Sequence, residues 1–128
     1  TMKVAGPTAL LISKTIKLSE RVAAGALERG RRDRVKPKDA LDVLRLLQAI
    51  PSARLAEGFA GLVKDGIAGP VTAEALASVP GLFGNVSSPG SQLAAEAAAP
   101  EPPDVIASSC AALCAELLAA LRAMGVDA

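Results

Sequence analysis

The chain has 128 residues, 51% of them hydrophobic but only 2% aromatic, with neither Trp nor Tyr, and a net charge of +1. That length suits one domain with a single modest core, and a core of Leu, Ile, Val and Ala favours closely packed helices over a sheet, which normally draws on aromatic and β-branched residues. A zinc site is not expected, because it takes about four ligands and the chain holds two Cys and no His.

In chain order, Lys3-Val4-Ala5 is extended in character and too short to form a sheet by itself. Residues 8–29 read as a long helix, opened by Gly6-Pro7-Thr8 and stopped by Gly30. At about 100° per residue, Ala9, Ile12, Ile16, Ala23 and Leu27 form one apolar band, widened by Leu11 and Val22. Lys14, Lys17 and Arg21 fall within about 60° of one another on the opposite side. Arg29 to Arg34 reads as a basic loop. A second helix is expected over 37–50, with Pro37 in the first turn, where its missing N–H costs nothing, and with a wide stripe of Leu41, Val43, Leu44, Leu47 and Ile50.

Pro51-Ser52 then breaks and recaps the chain, and a third helix follows to Lys64. Residues 66–70 are a turn, Thr72 caps a short fourth helix through Val79, and 80–90 read as a loop rich in Gly, Pro and Ser. A fifth helix occupies 91–98, residues 100–103 (PEPP) form a stiff spacer, and Asp104 opens a last helix to Met124. The expectation is an all-α fold: about six helices in a compact bundle, with at most one short strand at residues 3–5, and residues 1–128 as a single helical domain. No apolar run approaches the roughly 20 residues of a bilayer span, and Lys14 and Lys17 interrupt the N-terminal apolar stretch that a leader peptide needs. The expected location is cytoplasmic, with no membrane partner.

The near-zero charge hides an asymmetry. Residues 1–38 hold ten Lys or Arg against three acids, a balance of +7, and residues 39–128 hold four against ten, a balance of −6. Such polarity suits either an anionic ligand near the first segment or an internal docking of opposite charges. Lys14, Lys17 and Arg21 recur at helical spacing, so they make either a solvated face or a set of cations able to converge on phosphate oxygens. Asp39 and Asp42 likewise serve either as acids favourably placed against the helix dipole, Asp42 within reach of Arg45 or Lys38, or as part of a site. Cys110 and Cys114 are four residues apart on one helix, too far apart for an easy disulfide, and read as half-buried small hydrophobes.

Two motifs carry resemblances. The run DGIAGPVTAEAL (65–76), with LLQAI (46–50) upstream, resembles the second half of bacterial peptidoglycan-binding modules, although it lacks the aromatic and the Phe-Gln ending usual after that motif. Helices two to four have the order of a helix-turn-helix, but the fourth carries Glu74 as its one charge, which argues against DNA readout.

The longer resemblance joins both charged segments. KVAGPTALLISKTIKLSER followed by KPKDALDVLRLL resembles the C-terminal half of AbiEii-like bacterial nucleotidyltransferases, a group that includes toxins of toxin–antitoxin systems. Members end their catalytic sheet with a short strand, then carry a helix with a Lys-x-x-(Ala or Lys)-Leu pattern and a helix with Arg/Lys-Asp-x-x-Asp-Leu. The matching positions are Lys3–Ala5, Lys14 to Leu18 with Arg21, and Lys38 to Val43. The resemblance covers residues 3–50; Thr72 to Ala75, Leu82-Phe83 and Gly90-Ser91 are compatible with the helical tail.

The resemblance implies nucleotidyl transfer from a nucleoside triphosphate (NTP) with Mg²⁺, and it assigns roles by position. Lys14 and Asp39 are the catalytic residues, Lys17 and Arg21 contact the nucleotide, and Asp42 supports the helix start or orients a neighbour. The family's Gly-Ser followed by Asp-x-Asp, which holds the metal, has no counterpart here: Gly90-Ser91 is followed by Gln-Leu-Ala-Ala-Glu. The chain is therefore expected to be the helical C-terminal portion of a longer protein, inactive alone and needing no cofactor by itself. Its partners would be the missing N-terminal catalytic domain and, for the parent, an antitoxin or an RNA acceptor. An exposed apolar surface near Val4 and the first helix, and self-association through it, are also expected. The contrasting readings are a complete, non-enzymatic helical module that binds another protein, and a wall-binding domain.

Overall fold

The computed structural model describes residues 2–27 and 37–126, with the side chains of 6–23 and 37–126. These residues form six helices: α1 (Met2–Leu27), α2 (Pro37–Ala49), α3 (Ser52–Val63), α4 (Gly69–Phe83), α5 (Pro89–Ala97) and α6 (Pro103–Ala123). The all-α expectation holds. Arg29 to Arg34 and Gly30 lie outside the described residues, as does the side chain of Val4.

α2 and α6 both pack on α5, α3 packs on α6, and α1 lies against α2, α3 and α4. One apolar cluster joins all six, built from Leu11 and Leu18 of α1, Val43, Leu44 and Leu47 of α2, Leu55 and Phe59 of α3, Leu76 and Phe83 of α4, Ala94 of α5, and Cys110, Leu117 and Leu121 of α6. Phe59 and Phe83, the two aromatic residues of the chain, are both in it. Cys110 and Cys114 are free thiols and fully buried rather than half-buried. Burial pushes the Cys110 thiol up to about 11 and raises Cys114 as well, which makes both poor nucleophiles.

Three local expectations are overturned. Lys3–Ala5 is not a strand but lies within α1, which runs on through Pro7. A lone extended triplet has no neighbouring strand to take its N–H and C=O groups, whereas a helix pairs them internally. α4 likewise does not stop at Val79 but continues through Pro80 to Phe83. A proline inside a helix costs about 3 kcal/mol, but the extension buries Leu82 and Phe83, each contributing about 1.5–3 kcal/mol. At the start of α3, Ser52 is not a cap: Pro51 holds that position and no side chain caps the end.

The expected apolar band of α1 is borne out in part: Leu11 and Ile12 are buried and Ile16 and Val22 pack against the core, but the face is turned away from Ala9 and Ala23, and the side chain of Leu27 lies outside the described residues. Ala9 and Ala23 are exposed and Ile16 is half-buried. The core-facing residues are Thr8, Leu11, Ile12, Thr15 and Leu18. Two buried threonines complete this face with leucines at alternating steps of three and four, and Thr8 turns its hydroxyl toward Gly58 of α3. Counting Thr as polar turned the expected face by roughly a quarter of a revolution.

α6 reaches bilayer length, contrary to the expectation that no apolar run does so. Its 21 residues have a mean hydropathy of 1.7 over the best window, and by length and composition it could cross a membrane. In the bundle it packs through Ile106, Ala107, Cys110, Cys114, Leu117 and Leu121, and much of its outer face is Ala, Ser and Glu.

Candidate functional site

The turn of α1 toward its leucine–threonine face carries two of its cations with it. Lys14 and Arg21 flank that buried face rather than lying opposite the packed side, and each reaches across to α2. Lys14 Nζ donates to Asp42 Oδ2 at 3.1 Å, and Arg21 Nη1 donates to Asp39 Oδ2 at 2.6 Å. The later residue on α1 meets the earlier one on α2, so the two helices run antiparallel with their charges in matching order. Of the two outcomes that the charge asymmetry allows, internal docking is realised for these four residues.

The pairs differ in setting. Arg21 and Asp39 keep 26% and 11% of their side-chain surface exposed, whereas Lys14 and Asp42 each keep 28%. Asp39 also sits in the first turn of α2, where a negative charge gains about 0.3–1 kcal/mol from the helix dipole. A hydrogen bond to a charged partner contributes about 1.5–3 kcal/mol when shielded, but an exposed ion pair only about 0–1 kcal/mol. Asp39→Ala is therefore expected to destabilise the fold by about 1–2 kcal/mol, and Asp42→Ala by less than about 1 kcal/mol. Urea titrations of both variants at low and high salt check this, with the Asp42 effect shrinking as salt screens it.

Lys17 stands apart from this ladder. It is exposed and lines, with Glu20, the mouth of an apolar groove of about 460 Å³ between α1 and the α3–α4 corner. Ile12 and Ile16 of α1, Leu62 of α3 and Val71 of α4 form its walls. Sequence reasoning did not single out Glu20 or Ser13, which also line the groove, and it read Thr72, a third lining residue, only as a cap and as part of two short motifs. Nothing local marks them, since the groove exists only where α1 crosses the corner. The nearer signal was the matching order of Lys14 and Arg21 with Asp42 and Asp39 on helices joined by a short connection.

The other motifs have local structural roles. Asp65 Oδ1 accepts the N–H groups of Ile67 and Ala68 at 2.8 and 2.9 Å, which builds the turn before α4 and lowers the Asp65 carboxyl below its usual range. Gly69 allows a close approach, because a Cβ there would lie 2.7 Å from the Val63 carbonyl oxygen. Thr72 does not cap α4: it lies inside the helix and its hydroxyl donates to the Ala68 carbonyl at 2.7 Å. Arg45 pairs with Glu101 rather than with Asp42.

The described acids do not by themselves fit Mg²⁺. No three of the described His, Cys, Asp and Glu residues converge as a metal would require, and Asp39 and Asp42 each already accept from a cation. Comparison with models of protein families, with curated proteins and with solved structures finds no match to this chain.

Proposed function

We propose that this chain is the helical C-terminal part of a nucleotidyltransferase-like protein, lending a phosphate-contacting lysine, Lys14, and an acid, Asp39, to a composite NTP site. The observation that supports this reading is that the two segments carrying the resemblance lie side by side and meet through the pairs Lys14–Asp42 and Arg21–Asp39. Four charges from Lys14 to Asp42 line one seam between α1 and α2, with Lys17 one turn from Lys14 on the same helix.

Lys14 acts as a point charge toward phosphate, and Arg21 offers a planar fork of donors. In the isolated seam their charges are held by Asp42 and Asp39. A phosphate entering there exchanges one oxyanion for another, so the seam keeps the cations extended and oriented until the nucleotide arrives. The metal's carboxylates would come from the family's Asp-x-Asp, which residues 1–128 do not contain, and no chemical step is assigned to this chain alone. The parent is proposed to be cytoplasmic, with a protein antitoxin or an RNA acceptor as partner.

The test uses the full-length protein. Lys14→Ala and Asp39→Asn are each expected to abolish NTP-dependent labelling of the acceptor. Lys14→Ala removes only the more exposed pair, so its melting temperature should stay near that of the parent and the loss cannot be ascribed to unfolding. Full labelling by both variants would refute the assignment. A second reading, a protein-binding helical module without catalysis, is favoured by the open apolar groove beside α1.

A further inference from the structure

The groove beside α1 has a neighbour that the fold leaves unexplained. Ile67, at the corner between α3 and α4, is 93% exposed, and Val71, one turn into α4, is 44% exposed. The turn itself is built by Asp65 and by backbone groups, so the Ile67 side chain contributes nothing to it. An apolar knob therefore stands next to an apolar hollow of about 460 Å³. Among the described residues, the rim of that hollow carries one cation, Lys17, and one anion, Glu20, both exposed and about one turn apart on α1.

A contact between two identical patches needs each patch to complement itself, knob to hollow and positive to negative, under a two-fold rotation. This patch meets that condition. With two copies of α1 antiparallel and the axis between positions 17 and 20, Lys17 of each copy faces Glu20 of the other, while Ile67 of each approaches the hollow of the other, which Val71 helps to wall. A strongly charged partner would leave one rim charge opposed, and a purely apolar partner would desolvate both without pairing either. A second copy pairs both.

We infer that this face is a self-association surface, and that the chain forms a two-fold dimer through the α1 groove and the Ile67 corner. The inference goes beyond the nucleotide reading and does not depend on it.

Sedimentation equilibrium of the chain over a concentration series tests it. The wild type is expected to dimerise, and Ile67→Asp, at a side chain that is almost wholly exposed among the described residues, to be a folded monomer by circular dichroism and mass. Lys17→Glu and Glu20→Lys are each expected to weaken association by about tenfold or more, because each homodimer then opposes like charges. Mixed in equal amounts, the two variants should associate again, since every facing pair in the mixed dimer is opposite in sign. A wild type monomeric up to about 1 mM, single reversals that associate as well as the wild type, or a mixture that stays monomeric would each overturn the inference.

Discussion

Phe83→Ala is expected to lower the free energy of unfolding by about 3–5 kcal/mol. The ring is fully buried at the end of the segment by which α4 outruns Pro80. It is covered from α5 at unusually close range: a Cβ on Gly90 would lie 2.8 and 2.9 Å from two ring carbons and 2.5 Å from the Leu82 carbonyl oxygen. The backbone of α5 thus rests on the ring with little freedom to sink into the space an alanine would leave, so the cavity cost should be near the upper end. Domains of this size hold about 5–15 kcal/mol in total, so the variant loses a large share of its stability. Urea unfolding should show a fall in midpoint with the slope unchanged. A loss under about 1 kcal/mol would mean that the extension of α4 does not anchor α5.

Gly58→Val should cost about 3 kcal/mol by the opposite mechanism, crowding instead of a void. Gly58 is buried on α3 where α1 crosses, and a Cβ there would overlap the Thr8 hydroxyl oxygen and lie 3.0 Å from the Thr8 Cβ. Thr8 is itself buried and, being β-branched, cannot swing aside easily, so α1 must move off α3. The higher helix propensity of valine over glycine returns only a few tenths of a kcal/mol. Thr8→Ala in the same background should recover part of the loss, and a double-mutant cycle should give a coupling above about 0.5 kcal/mol. Displacing α1 also strains the seam to α2, so chemical shifts at Asp39 and Asp42 should move although neither touches Gly58. Simple additivity of the two substitutions would place the crossing elsewhere.

Both effects concern α1 or the end of α4, the elements least legible from the chain. α2, α3, α5 and α6 were readable to within about two residues, because each has an apolar period near 3.6 and a Pro, Ser or Asp close to its start. The all-α class was readable as well, since a chain with two Phe and no Trp or Tyr has few of the residues that fill a sheet. The residue types at the candidate site were also visible: cations at helical spacing on one segment and two acids at the head of the next.

Tertiary structure decided what those residues do. Periodicity shows that a helix has faces but does not rank a face with two threonines against one with alanines and an isoleucine. That ranking depends on what lies opposite, and Gly58 of α3 offers a recess that fits Thr8. Once that contact sets the rotation of α1, Arg21 reaches Asp39, Lys14 reaches Asp42 and Lys17 is left at the groove. Proline's local cost likewise predicts a stop at Val79, and only the space waiting for Leu82 and Phe83 overrides it. Local propensities are worth tenths to a few kcal/mol per residue, and burial of one large side chain is worth as much. Where the two oppose each other, the outcome is settled by neighbours distant in the chain.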